Sequence, residues 1–409
     1  ALPRAAAAQS AEARLVGTAA ELEEAFRSAP DAGGRILLAP GRYDFARLRE
    51  RSFSGPLVLG SADPAARAVF SANLHLEDVA NLVIEGVDFV TGGFREHKGR
   101  MDKVQLGLTG CRAITVQDAG FTGYIPTAAE GVDPEAPNLD RDYALAGYGR
   151  DYGIGMSGCE GMRALGLVMS DLRAAIGCNR SRDIRMEGIE VARAREGINI
   201  HDVTAVTIAE CHFHGFRPWL ARASPRRDHP DMIQYWAGRE GIGLNEVEIR
   251  DCLFHQGPGE PWTQTIFGHM QNVKDGTDRA TGLRITGNTI VNRHVWGISL
   301  GDADGVVIAD NLLLPSPDLP DAPERGHVPT ISLERTAGAE ISRNTLLPYD
   351  GLHRPVRAEP EALADGRVRL APDNRLLSTR PVAPAFWRKL TPDLSSPAAR
   401  YRARHGWTG

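Results

Sequence analysis

Gly197-Ile198-Asn199-Ile200-His201 decides the fold through the number of times its pattern returns. An isoleucine stands at a fixed place among small or polar neighbours. The same arrangement recurs in Gly153-Ile154-Gly155-Met156-Ser157, Ala175-Ile176-Gly177-Cys178-Asn179, Met232-Ile233-Gln234-Tyr235-Trp236, Thr265-Ile266-Phe267-Gly268-His269, Gly297-Ile298-Ser299-Leu300-Gly301 and Thr330-Ile331-Ser332-Leu333-Glu334. Gln105-Leu106-Gly107-Leu108-Thr109 is an earlier member. The central isoleucines lie 22, 22, 35, 33, 32 and 33 residues apart. One turn of a parallel β-solenoid takes up the short spacing, and loop insertions account for the long ones.

A second ladder keeps constant phase with the first: Ile208-x-x-Cys211-x-Phe213, Ile249-x-x-Cys252-x-Phe254, Ile285-x-x-Asn288-x-Ile290, Ile308-x-x-Asn311-x-Leu313 and Ile341-x-x-Asn344-x-Leu346. A recurrent Asn at one turn is expected to adopt the left-handed conformation and to bond to the coil above. A β-sandwich would not hold two ladders in phase. Over roughly Gly34 to Tyr349 these residues resemble the right-handed parallel β-helix of pectate-lyase-like proteins.

The expected fold is therefore all-β, a single-stranded right-handed parallel β-helix. An N-terminal segment with a capping helix occupies 1–33 and the solenoid 34–349. Insertions fall at 124–150 and 216–227, and a C-terminal tail or cap at 350–409. Thr18-Ala19-Ala20-Glu21 reads as a capping box opening a helix through about Ser28, with Leu22 and Phe26 on one face. A solenoid needs such a lid, because an open end exposes core and unpaired strand edges. Phe386, Trp387 and Leu390 are expected to cover the last coil. The first insertion is acidic, and the second is basic and aromatic. Insertions of this kind wall a groove when they collect on one side.

The chain has 409 residues, is 42% hydrophobic and carries a net charge of −5, so it can build a core and bulk charge gives no case for nucleic acid. No run is long enough to span a membrane. Ala1 to Gln9 resembles the small-residue region around a signal cleavage site, so a secreted or periplasmic protein is expected. The five cysteines are an odd number. Cys111 with Cys159, and Cys211 with Cys252, fall in equivalent turns. Stacked apolar filling is favoured there over disulfides.

Strand alternation points the neighbours of each central isoleucine outward, in columns about 4.8 Å apart from coil to coil. The middle coils then gather Arg195, Asn199, His201, Asp231, Gln234, Trp236 and His269, while the outer coils place Gly and Ser in the same columns. His201 and His269 share a column on alternate coils, roughly 9–10 Å apart with Trp236 between. That is too far for both to bind one ion and suits groups on either side of a sugar ring. Asp231 faces inward if its strand is regular, but Pro230 is expected to bend the chain and turn it into the groove. Asp228 and His229 lie beside the same groove. Lys103, Arg173 and Arg195 form a basic edge able to pair with carboxylates.

The resemblance implies a carbohydrate-active enzyme, and first a lyase acting on a uronic-acid polysaccharide. β-Elimination needs the uronate charge neutralised, a proton removed and the leaving oxygen protonated. Arg195 with Arg173 would neutralise, and His201 or His269 would be base or acid. Asn199, Gln234, Asp228 and His229 would position the sugar, with Trp236 stacked on it. Asp231 would orient a histidine or help bind a cation; the sequence specifies no cofactor, and calcium is the one ion considered. The chain lacks the Asp-Pro-His-Glu motif of mannuronan epimerases, which Asn199-Ile200-His201-Asp202 only loosely echoes. The alternatives are a glycoside hydrolase using carboxylates from Asp228, Asp231 and Glu196, a uronan epimerase, and a non-catalytic glycan-binding solenoid.

Overall fold

The computed structural model describes residues 13–90, 104–124, 152–217, 230–236, 243–256, 263–270, 279–316, 328–347, 355–377 and 393–407. Within them the chain winds as a right-handed parallel β-helix. The central column runs unbroken from coil to coil through Leu74, Leu106, Ile154, Ile176, Ile198, Ile233, Ile266, Ile298, Ile331 and Val356. The long spacings between isoleucines are thus insertions between coils that remain in register.

Hydrogen bonding divides the strands into a sheet of 22 and a sheet of 12. The larger covers two faces of the solenoid, because strands such as Ala174–Glu187 and Glu196–Ala209 continue round a corner and pair along both halves. A single left-handed residue turns that corner in successive coils. Gly110, Gly158, Arg180, Asp202, Asp302 and Arg335 have φ between 47° and 66°. Non-glycine residues pay for this conformation, and asparagine and aspartate pay least.

The second ladder holds its register through Ile208, Ile249, Ile285, Ile308 and Ile341. Its asparagines do bond from coil to coil: Nδ2 of Asn288, Asn311 and Asn344 donates to Oδ1 of the next member at 3.0, 2.9 and 3.0 Å. One expectation is corrected. The left-handed residue is the one before each ladder position, namely Asp251, Gly287, Asp310 and Arg343. The asparagine itself turns inward, where its Nδ2 also satisfies a backbone carbonyl such as Ile249 O or Ile285 O.

The interior is stacked as well as filled. Phe70, Phe89 and Phe121 lie ring on ring at 5.1 and 4.6 Å, and Phe213 stacks on Phe254 at 4.9 Å. Each such ring contributes ~2 kcal/mol or more by leaving water. All five cysteines are buried and free. No helix among the described residues is long and apolar enough to cross a membrane.

The N-terminal helix Ala19–Arg27 forms where expected: Thr18 caps it by accepting from Glu21 N at 3.2 Å, and Leu22, Ala25 and Phe26 are buried. Phe26 meets Phe53 edge-on at 5.6 Å, which seats the helix on the first coil. At the other end, the solenoid does not stop at Tyr349. Val356–Arg357, Val368–Leu370 and Arg375–Leu376 add a further coil, and Asn374 extends the asparagine ladder. Phe386, Trp387 and Leu390 lie outside the described residues.

The C-terminal helix Pro397–His405 docks on the flank of the middle coils. Tyr401 lies over Gly188 and Trp407 over Gly166, two corners where an added Cβ would strike the rings. Arg402 pairs with Glu190 at 2.9 Å, Arg404 pairs with Glu210, and the Tyr401 hydroxyl donates to Glu187 at 3.3 Å.

Candidate functional site

The groove face is the outer side of the first sheet face, and its register fixes three outward columns. One place after the central residue, Gly107, Gly155, Gly177, Asn199, Gln234, Phe267, Ser299 and Ser332 stack in order. Three places after it come Ser157, Asn179, His201, Trp236 and His269.

The third column was not read correctly from alternation. Two places before the central residue stand Tyr152, Ala174, Glu196, Asp231 and Gln264. Strict alternation would send them into the core. The residue between takes that place instead: a Cβ on Gly197 would meet Phe213, and one on Gly153 would meet Met169, both core side chains. With two consecutive residues directed inward, the one before them stands on the other side of the strand. Accordingly Glu196 Oε2 accepts from Asn199 Nδ2 at 2.8 Å, and the Tyr152 ring lies over Gly177. Asp231 occupies this column between Glu196 and Gln264 and is completely buried.

The glycines of the outer coils do not leave an open trough. His75 lies over Gly107, Val104 over Gly155 and Tyr152 over Gly177. Arg173 in turn sits 5.8 Å from the centre of the Tyr152 ring, within cation–π range. Arg195 is buried and bonded to Glu196, so Arg195, Glu196 and Asn199 form a connected floor. Asn199 Oδ1 and Gln264 Oε1 are buried acceptors without a partner.

The histidine column is built around Trp236. The His201 ring stacks on Trp236 at 4.9 Å, and its Nδ1 lies 3.3 Å from Asp202 Oδ2. Because a carboxylate accepts, Nδ1 carries the hydrogen in this contact and Nε2 is the nitrogen left for other work. On the far side, His269 packs beside Phe267 at 4.9 Å, and Phe267 stacks on Trp296 at 5.1 Å. Burial lowers the His269 pKa, opposed by Glu334, 3.8 Å away, and by Asp302. Gly301 makes room for this ring, since a Cβ there would run into His269 Nδ1.

Asn199, Gln234, His201, Trp236 and His269 therefore fall in two columns of one face on consecutive coils, with Arg195 bonded to Glu196 and Arg173 over Tyr152, while Asp231 is buried in the strand that carries Gln234 and Trp236. Asp228, His229 and Lys103 lie outside the described residues. Gln264, Trp296 and the Asp202 partner of His201 were not singled out from sequence. Gln264 was legible in principle, two places before Ile266 and equivalent to Glu196 and Asp231.

No protein-family model and no curated protein matches the chain. Among solved structures it is similar to an alginate lyase from Paenibacillus sp. str. FPU-7, at 12% identity over 90% of this chain and 96% of that one, TM-score 0.39. It is similar to the Dettilon tailspike protein, at 13% identity over 89% of this chain and 63% of that one, TM-score 0.49. It is also similar to an endo-xylogalacturonan hydrolase from Aspergillus tubingensis, at 11% identity over 91% and 93%, TM-score 0.45.

Proposed function

We propose that the chain is an exported polysaccharide lyase that cleaves a uronic-acid-containing polymer by β-elimination in this groove. The observation that carries the reading is the column His201–Trp236–His269, an aromatic platform with an imidazole on each side. A sugar ring lying along this column would come within reach of both histidines. His269, its pKa lowered by burial, is neutral at pH 7 and serves as the base that removes the proton next to the carboxylate. His201, as the imidazolium with its Nδ1–H held by Asp202, gives its Nε2 proton to the leaving oxygen and is left neutral.

Arg173 supplies the cation facing the uronate, and Arg195 positions Glu196 and Asn199 beneath it. Gln234 and Asn199 occupy one column and set the sugar's register. Asp228 and His229 are assigned to substrate binding from their place in sequence. Asp231, buried at the centre, orients the floor or holds a calcium ion.

A second reading has its own observation. Glu196 and Asp231 each stand two places before a central isoleucine, on the paired coils of Ile198 and Ile233. A pair of carboxylates serving one glycosidic bond is the requirement of a glycoside hydrolase.

Absorbance near 235 nm, followed during incubation with a panel of uronic-acid polysaccharides with and without calcium, separates the two. Elimination raises the absorbance, and His269→Ala is expected to reduce that rate by at least ~10²-fold. New reducing ends with no absorbance, abolished by Asp231→Asn, would replace the lyase with the hydrolase. Glycan binding with neither signal would make the chain a binding protein, and a changed uronate configuration in intact polymer would make it an epimerase.

A further inference from the structure

The third face of the solenoid, away from the groove, carries a second cluster. Glu190 lies on strand Glu190–Ala192, and His212 and His214 lie on the neighbouring strand His212–His214, with Glu190 directly beside His212 in register. Phe213 between the histidines points into the core, so both imidazoles stand on the outer side. One donor atom from each of the three residues lies within 4.8 Å of the other two. The imidazole rings stack at 4.3 Å, and His214 Nε2 is 3.2 Å from Glu190 Oε1.

Independently, His212 is only 9% exposed, and neither of its ring nitrogens has a hydrogen-bond partner. A buried imidazole without a partner forfeits the hydrogen bonds it made in water. Nothing in the strand geometry requires a histidine there, because the equivalent position one coil on is Leu253.

We propose that Glu190, His212 and His214 form a binding site for a zinc-class divalent transition metal. Two imidazole nitrogens and one carboxylate oxygen are a borderline donor set that suits zinc and its neighbours, whereas calcium and magnesium require oxygen ligands. Zinc–ligand bonds of about 2.0–2.1 Å put tetrahedral donors about 3.3 Å apart. The His214–Glu190 pair already has that spacing, and ring rotation draws in the His212 nitrogen.

The adjacent cation does not compete for the same atom. Arg402 holds Glu190 Oε2 at 2.9 Å, leaving Oε1 for the ion. That contact orients the carboxylate from behind, as outer partners of metal ligands do. The partly exposed His214 leaves the fourth coordination position to water. A bound ion would join two successive coils beneath the C-terminal helix.

The test is calorimetric titration of the metal-free full chain with zinc chloride, together with the visible spectrum of the cobalt-loaded protein. One saturable ion per chain is expected, with the intense cobalt bands of four- or five-coordination. His212→Leu and Glu190→Gln should each weaken binding by more than ~10-fold, whereas the groove double variant His201→Ala/His269→Ala should bind as the parent does. Binding lost in the groove variant but kept in His212→Leu would overturn the assignment. So would no saturable zinc binding by the parent chain, or a weak octahedral cobalt spectrum. The cobalt spectrum is read on the unaltered protein, so it decides even if His212→Leu fails to fold.

Discussion

His269 concentrates the chemistry proposed for the groove in one ring. Burial lowers its pKa, Glu334 and Asp302 push it back up, and Arg335 pushes it down. A base is active only when unprotonated, so the acid limb of kcat/KM for elimination should lie below the free-imidazole value of about 6.5. Glu334→Gln removes one of the opposing carboxylates and should move that limb further to acid, as a pH–rate profile would show. Gly301→Ala would displace the ring, and a shift of about 1 Å is expected to cost ~10²-fold in kcat with thermal stability little changed. The placement of His269 across from His201 was legible in sequence, because a fixed residue count from each isoleucine sets the column. Proline was expected to turn Asp231 into the groove; in the structure Asp231 is completely buried, in register with Gln264.

Among elements, the asparagine ladder shows how a turn can be a load-carrying structure. Asn311 Oδ1 accepts from Asn288 N and Nδ2, each at 3.0 Å, while its own Nδ2 donates to Ile285 O, at 2.9 Å. Asn311→Ala would leave two buried donors unsatisfied, so a loss of ~2–4 kcal/mol is expected in denaturant unfolding. Arg343→Ala, at an exposed ion pair with Asp310 beside the same ladder, should leave the unfolding midpoint little changed. The ladder itself was visible as a recurring letter. Which residue takes the left-handed conformation was not, since Asp, Gly and Arg all fill that place here. The Glu190, His212 and His214 cluster escaped for a related reason. His212-x-His214 announces itself only once the third face is known to lie beside Glu190 of the preceding coil.

On the scale of the whole molecule, each coil touches chiefly the coils before and after it, so stability is expected to grade along the axis. The last coil, with short strands at Val356–Arg357 and Val368–Leu370, should exchange its amide hydrogens before the coils around Ile176 and Ile198. The latter carry the longest shared ladder and the docked C-terminal helix. Hydrogen exchange read by mass spectrometry would show this order, and uniform exchange would contradict it.

The docking of the C-terminal helix on Gly166 and Gly188 has a consequence for how such a chain can evolve. Solenoids ordinarily lengthen by duplicating a coil, with nothing downstream to object. Here the chain must return from the last coil to a fixed berth several coils back, through the residues between Leu377 and Asp393. Each duplicated coil would push the two points about 4.8 Å further apart. The tail thus acts as a ruler, tying the number of coils after Gly188 to the length of the return segment.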